Sequence, residues 1–398
     1  MAKSEKRLAI LSSHPIQYHS AWFRKLAAES GLNLEVFYCH QATATEQAGA
    51  GFGVEFNWDM SLLDGYPHRF VKNVAATPTI KGFSGLDTPE IKNIIARERF
   101  DAVMINGWHY KSAWQAMRAC WKTSTPVMVR SDSHLHTERT LFKRFAKWPF
   151  YSWFISKLDA CLPVGKWSSD YFLHYGAAPD RVFIVPHAVD IDYFKGEARR
   201  LRSERTLLRA KWGLDEAATV FVFAGKFIDK KRPLDFVNAV QQANAKLGQA
   251  SVAGLMVGDG PLRESCEEVV QRNGIPVKFA GFLNQSQISQ AYVAADALVL
   301  PSDGGETWGL VVNEGMACGL PCFVSDRVGC GPDMIILNET GGVFPLGDTE
   351  ALANLMTQFA ADRERIRRMS ERATEQATRY SVDVAVDRTL QAVEAVSR

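Results

Sequence analysis

From its first strand-like run to its last, the chain alternates short β-rich stretches with helical periodicity, and that alternation limits the fold more than any single motif. Strands that recur between helices are joined by crossover connections, so their sheets are parallel and covered on both faces, which is the α/β class. In the first half the expected strands are 7–13, 32–39, 101–106, 126–131, 160–164 and 182–186. In the second half they are 219–224, 252–257, 277–280, 296–300 and 321–325. Two such sets predict two doubly wound, Rossmann-like parallel sheets. A length of 398 residues agrees, because one domain usually takes about 100–200.

The expected organisation is a first domain over 1–190, a charged connector over 191–215 and a second domain over 216–379. Two domains of this kind usually leave a cleft. The tail reads as helix with a break at Tyr380-Ser381, and its last helix, about 380–398, is expected to pack back on the first domain. An insertion over 41–66, rich in Gly and aromatic residues, is too long for a routine loop and is a candidate acceptor loop.

A 46% hydrophobic, 23% charged composition is that of a soluble globular protein, and a formal net charge of +2 argues against nucleic acid as a partner. No apolar run reaches the roughly 18 residues of a membrane span. The start, MAKSEKRLAILSSHP, has too few apolar residues for the roughly 7–15 of a signal-peptide core, so a cytoplasmic location is expected. The 7 cysteines are odd in number and mostly lie in apolar runs, and Cys318, Cys322 and Cys330 lack zinc spacing; they read as reduced thiols packed as small apolar groups.

The chemistry concentrates in PSDGGETWGLVVNEGMACGLP, 301–321, where Glu306 and Glu314 stand eight positions apart. A strand ends at Pro301, a Gly-rich loop follows, and helical periodicity runs from near Gly309 to Gly319. The backbone N–H groups of Thr307, Trp308, Gly309 and Leu310 would form an anion site beyond the strand ends. An anion beside acids is explained by a sugar nucleotide, whose diphosphate takes the N–H groups while its hydroxyls donate to the carboxylates. A second cluster, FAGKFIDKKRP, sets Lys226, Lys230, Lys231 and Arg232 after Gly225 at a strand's carboxyl end, which suits a diphosphate leaving group. A third, VGDGP, places Gly258 and Gly260 in a turn, and FAGFLN carries Phe282.

These stretches resemble the E-x7-E motif, the basic loop and the Gly-Asp-Gly turn of retaining glycosyltransferases of family 4, which have the GT-B fold of two Rossmann-like domains facing a cleft. The resemblance implies a nucleotide-sugar donor such as a UDP- or GDP-sugar, no metal and no further cofactor. It implies Glu306 on the sugar, Glu314 on the ribose, Lys231 and Lys226 on the diphosphate, and Gly225, Gly258, Gly260 and Phe282 lining the nucleotide. Lys226 stands where the family usually has Arg. In DAVMINGWHY, His109 matches a family histidine that contacts the sugar near its reacting carbon. His14, His134, His136 and His187 also fall near strand ends, and SSHPIQYHS replaces the family's Gly-rich first loop. The Asp190-x-Asp192 pair is not expected to hold metal.

The segment 139–158 carries five Lys or Arg, seven aromatics and no acid, a composition suited to an anionic membrane surface. The resemblance thus implies transfer to the hydroxyl of a glycan or lipid-linked acceptor, in cell-surface polysaccharide or glycolipid assembly. A GT-B sugar-nucleotide epimerase and a non-catalytic nucleotide-binding protein are the alternatives.

Overall fold

The computed structural model describes residues 5–41, 59–136, 141–248 and 251–397, with the side chains of 141–145 outside the description. Most of the 41–66 insertion, residues 42–58, also lies outside it. One compact unit comprises 1–43, 61–188 and 382–398, and the other comprises 44–60 and 189–381.

In the first unit the strands are β1 (Lys6–Ser12), β2 (Leu32–Tyr38), β3 (His68–Phe70), β4 (Ala102–Asn106), β5 (Val127–Ser131) and β6 (Ala160–Pro163). They form one parallel sheet in the order β3-β2-β1-β4-β5-β6. Successive side chains on a strand point to opposite faces, so the continuous apolar runs feed two cores at once. Leu8, Ile10 and Met104 enter one core, while Ala9, Leu11 and Ile105 enter the other. The helix Val382–Val396 closes the first of these, laying Val386 and Val393 in the same core as Trp22, Phe23 and Leu26 of helix Gln17–Ala28.

The stretch 182–186 is not a strand. Phe183 N donates to Cys161 O at 2.9 Å and Val185 N to Pro163 O at 2.8 Å, so the segment runs beside β6, but Pro163 has no N–H to return and the ladder stops at a single bridge. The sixth strand of this sheet is instead the short edge β3.

In the second unit the strands are β7 (Thr219–Ala224), β8 (Val252–Val257), β9 (Val277–Gly281), β10 (Ala297–Leu300), β11 (Cys322–Ser325) and β12 (Gly341–Phe344), in the order β12-β11-β10-β7-β8-β9 and again all parallel. Residues 191–215 are mostly helical. They form helices Ile191–Leu201 and Arg205–Lys211, fixed to this sheet by the buried Arg209, which donates to Ala294 O at 3.0 Å, Glu216 O at 2.8 Å and Asp296 Oδ2 at 2.7 Å. Asp296 also accepts from Arg205 at 2.7 Å and Val220 N at 2.8 Å, so a buried charge pair with all-round hydrogen bonding anchors the segment.

Candidate functional site

Strand order reverses between β7 and β10, and the loops leaving these two strands part to make the crevice in which open α/β sheets bind ligands. Beyond the strand ends, Gly225 N donates to Val257 O at 3.0 Å, Phe227 N to Asp259 O at 2.8 Å and Gly258 N to Gly281 O at 2.8 Å, lacing three loops into one floor. Gly258 has φ of 126°, and a Cβ there would lie 2.0 Å from the Gly225 carbonyl oxygen, so no other residue fits. A Cβ at Gly260 would lie 2.7 Å from the Phe227 carbonyl oxygen, and Phe282, half-buried, follows the floor's third loop.

Above this floor a short 3-10 turn, Asp229–Lys231, brings Lys230 and Lys231 toward the loop after β10. Asp303 N donates to Lys230 O at 2.9 Å, and Lys231 Nζ is bonded to Glu306 Oε2. The pair's side chains are only 14% and 11% exposed. Burial would raise the Glu306 carboxyl, but Lys231 and then Lys230 outweigh it and hold the pKa below the ordinary carboxylate value. At Lys226, burial first and then repulsion from Lys231 and Lys230 bring the pKa down to about 8, against the pull of Glu306.

Helix Leu310–Ala317 starts from Gly309, whose φ of 102° and 2.7 Å approach to Leu300 Cδ2 require glycine. Trp308 is buried: its Nε1 donates to Asn313 Oδ1 at 2.9 Å and its ring lies 5.8 Å from that of Tyr380. Only its backbone is placed to serve an anion. Glu314 lies on this helix with its carboxylate turned to Tyr292, whose hydroxyl donates at 2.6 Å. Burial, set against that bond, pushes its pKa up to about 7. The two motif acids are therefore pushed in opposite directions, Glu306 toward its ionised form by lysines and Glu314 toward its neutral form by burial.

The first unit has its own switch point, between β1 and β4, and a pocket of about 160 Å³ there. Asn106 Nδ2 donates to Ser12 Oγ at 2.7 Å across it. Arg130, buried at the end of β5, donates to Val185 O at 3.3 Å, Pro186 O at 3.1 Å and His187 Nδ1 at 3.2 Å, and faces His19 Nε2 at 3.5 Å. Burial first, then Arg130, drives the pKa of both His19 and His187 well below the ordinary imidazole value. His109 lines the same pocket with an exposed edge; loss of solvent lowers its pKa and Asp132 pulls it back. Of the other histidines, His136 packs on Trp167 at 4.1 Å. Sequence reasoning missed Tyr18, His19, Asn106 and Arg130 in this wall. One signal was available, a charged residue inside the apolar strand run PVMVRS.

Helix Leu141–Ile155 turns Phe154 and Ile155 into the core and leaves Trp148, Phe150 and Trp153 at 50%, 49% and 46% exposure. Lys157 lies over the rings of Trp153 at 4.9 Å and Trp121 at 5.6 Å. No helix among the described residues is long and apolar enough to cross a membrane, and no group of three or more His, Cys, Asp or Glu among them is placed to share a metal. Asp190 caps helix Ile191–Leu201, accepting from Tyr193 N at 2.9 Å.

Residues 204–376 match the family model of Glycosyl transferases group 1, and residues 22–193 that of Glycosyltransferase Family 4; together they cover most of the chain. N-acetyl-α-D-glucosaminyl L-malate synthase of Bacillus anthracis is 32% identical over 186 residues, 46% of this chain and 46% of that protein. Sulfoquinovosyl transferase SQD2 of Arabidopsis thaliana is 29% identical over 265 residues, 65% of this chain and 49% of that one. The chain thus spans about half the length of the curated relatives it matches. Among solved structures, HepE of Anabaena in complex with UDP superposes with a TM-score of 0.72 at 15% identity, over 98% of this chain and 99% of that one. Two consecutive family matches, two parallel sheets of the expected kind and the E-x7-E segment at the second switch point lead to one statement: the chain belongs to glycosyltransferase family 4, with the GT-B fold.

Proposed function

We propose that the protein moves a sugar from a nucleotide donor to an acceptor hydroxyl with retention of configuration and without a metal. The observation that carries this is the buried Lys231–Glu306 pair, flanked by Lys226 and Lys230, on a glycine floor at the switch point of the second sheet. A diphosphate carries the charge that suits this cluster: Lys231 and Lys226 stabilise the negative charge that grows on the leaving group, and the backbone N–H groups from Thr307 to Leu310 take its oxygens. Glu306, kept ionised, accepts from a sugar hydroxyl, and Glu314 from the ribose. His109 serves the region of the reacting carbon. The departing phosphate oxygen takes the acceptor's proton on the face it leaves, so no covalent enzyme nucleophile is used. The UDP complex of HepE favours a uridine nucleotide as the first donor to try.

The acceptor is a glycan or lipid-linked hydroxyl, in cell-surface polysaccharide or glycolipid assembly. Trp148, Phe150 and Trp153, exposed beside Lys147 and Lys157, support a cytoplasmic enzyme resting on an anionic membrane face. The test is a thermal-shift screen of nucleotide sugars, in which ligand at a hundred times its dissociation constant adds about 2.7 kcal/mol, followed by proton NMR of the product's anomeric centre. Stabilisation by a nucleotide sugar and a retained anomer are expected. An altered sugar nucleotide formed with no acceptor would make the protein an epimerase, and binding without acceptor-dependent turnover would make it a nucleotide-binding partner.

A further inference from the structure

Lysines push Glu306 toward its ionised form, and among the described residues no cation does so for Glu314. A carboxylate accepts a hydroxyl best when ionised, and burial works against that state. At Glu314 the side chain that opposes burial is a neutral one, Tyr292. It lies in the last turn of helix Gln285–Ala294, fully buried, with its ring 6.5 Å from that of Phe194. A phenylalanine would fill the same space, whereas a buried hydroxyl is costly unless it is bonded. The Tyr292 hydroxyl donates to Glu314 Oε2 at 2.6 Å, the short length of an O–H given to a charged oxygen.

The two oxygens of Glu314 thus have different surroundings. Oε2 is taken by Tyr292. Oε1 accepts from no described residue, and the half-buried side chain leaves it in contact with solvent. A helical side chain leans toward the N-terminus of its helix, so this carboxylate is carried from position 314 toward Leu310 and the loop that holds Glu306. The neighbours of the pair do not compete for it. Cys318, one turn further along the helix, and Cys322 on β11 are thiols whose pKa burial raises. Glu197, on helix Ile191–Leu201, bears on Cys318 and accepts from Arg200 at 2.7 Å. Helix Arg363–Thr378, packed on helix Leu310–Ala317, brings the hydroxyls of Ser370 and Thr374 to Gly319, and β10 sets Leu298 against Gly315.

We infer that Tyr292 is a positioning residue of the donor site: its hydroxyl holds Glu314 Oε2 and so leaves Oε1 aimed at a hydroxyl of the donor's ribose. The inference rests on the proposed glycosyl transfer and names the residue that sets its ribose contact. By donating to the charged form, Tyr292 also keeps Glu314 able to accept at lower pH than burial alone would allow.

The test is the affinity of the full chain for UDP from about pH 5 to 9, with 2′,3′-dideoxy-UDP as the comparison. The two ligands share the titration of the diphosphate, so a difference between them belongs to the ribose hydroxyls. Wild-type protein should prefer UDP by at least about 10-fold at high pH, and the preference should fade on the acid side as Glu314 takes up a proton. Without the tyrosine's hydrogen bond the carboxyl keeps its proton to higher pH, so Tyr292→Phe should move that loss upward by about one pH unit. Above it the two proteins should agree within about threefold, and dideoxy-UDP should not distinguish them at any pH. Placing 3-fluorotyrosine at position 292, a stronger donor in the same ring, should move the loss to lower pH, and this decides the matter should Tyr292→Phe fail to fold. A uniform loss at every pH, a profile unmoved or moved the other way, or an equal loss with dideoxy-UDP would overturn the inference and leave Tyr292 as packing. So would a wild-type protein that binds UDP with no preference for its ribose hydroxyls. One that binds neither UDP nor GDP overturns the glycosyl-transfer proposal, and this inference with it.

Discussion

Two parallel sheets of the same size and topology carry very different switch points. In the second unit the crevice between β7 and β10 is lined by charge, with the Lys231–Glu306 pair buried and Lys226 shifted down by burial and then by its cationic neighbours. In the first, the crevice between β1 and β4 is lined by neutral imidazoles, an amide and serines, its one arginine hydrogen-bonded to backbone and histidine. The fold sets where a crevice sits, and loop residues decide whether its wall is charged or largely neutral. Four experiments press on that contrast, from the largest expected effect to the smallest.

Lys231→Ala should slow turnover by about 100-fold or more, since a cation beside a diphosphate at an effective dielectric of about 20 contributes a few kcal/mol. It also leaves Glu306 buried and unpaired, at a stability cost on the order of 3–5 kcal/mol. The double variant Lys231→Met/Glu306→Gln should regain stability and not turnover. A folded Lys231→Ala protein with activity within about threefold of wild type would erase the distinction between the two crevices.

Next come the two acids. Glu306→Gln should act mainly on kcat and Glu314→Gln mainly on donor KM, each by about 10-fold, because only the sugar changes charge during the reaction. Matching defects would mean the donor lies the other way round.

The third is pH. Donor affinity should fall on the acid side as Glu314 protonates near pH 7, and on the alkaline side as Lys226 loses its proton near pH 8. Glu314→Gln should remove the first limb and Lys226→Met the second. Stability follows with a definite sign: the Glu314 carboxyl, raised from 4.5 to about 7 by folding, stabilises the protein fully below pH 4.5, and that contribution is lost as pH rises to about 7. A flat donor-affinity profile between pH 6 and 9 would show that neither group meets the ligand.

The smallest effect concerns the first unit's outer face. Vesicle co-sedimentation should require anionic lipid, weaken with salt, and drop when Lys143, Arg144 and Lys147 become Glu, at about 1 kcal/mol per charge. Equal sedimentation of the reversed protein, or none by either, would assign the acceptor to solution.

The sequence made the interior strands and the charged crevice legible for physical reasons. Runs such as TVFVFA and VAGLMV are buried on both faces and so are apolar throughout, and Glu306, Lys226 and Lys231 fall in short contiguous motifs. The edge strands β3 and β12 were not legible: they are three and four residues long, and β12 begins with two glycines. The neutral crevice escaped because His19, Asn106 and Arg130 come from a helix and two strand ends far apart in the chain, and only the sheet brings them together. The supposed strand 182–186 misled because its β-rich composition says nothing about whether the partner, here Pro163, can donate.

The last helix has a consequence in time. The cover that Val386 and Val393 give to Trp22, Phe23 and Leu26 lies on the far side of residues 189–381, the whole body of the other unit. During synthesis at roughly 5–20 residues per second, the first unit waits roughly 10–40 s with that apolar stripe uncovered. Its final closure is therefore tied to synthesis of residues 382–396, so a ribosome stalled within 189–381 holds an unfinished first unit, a natural target for a chaperone.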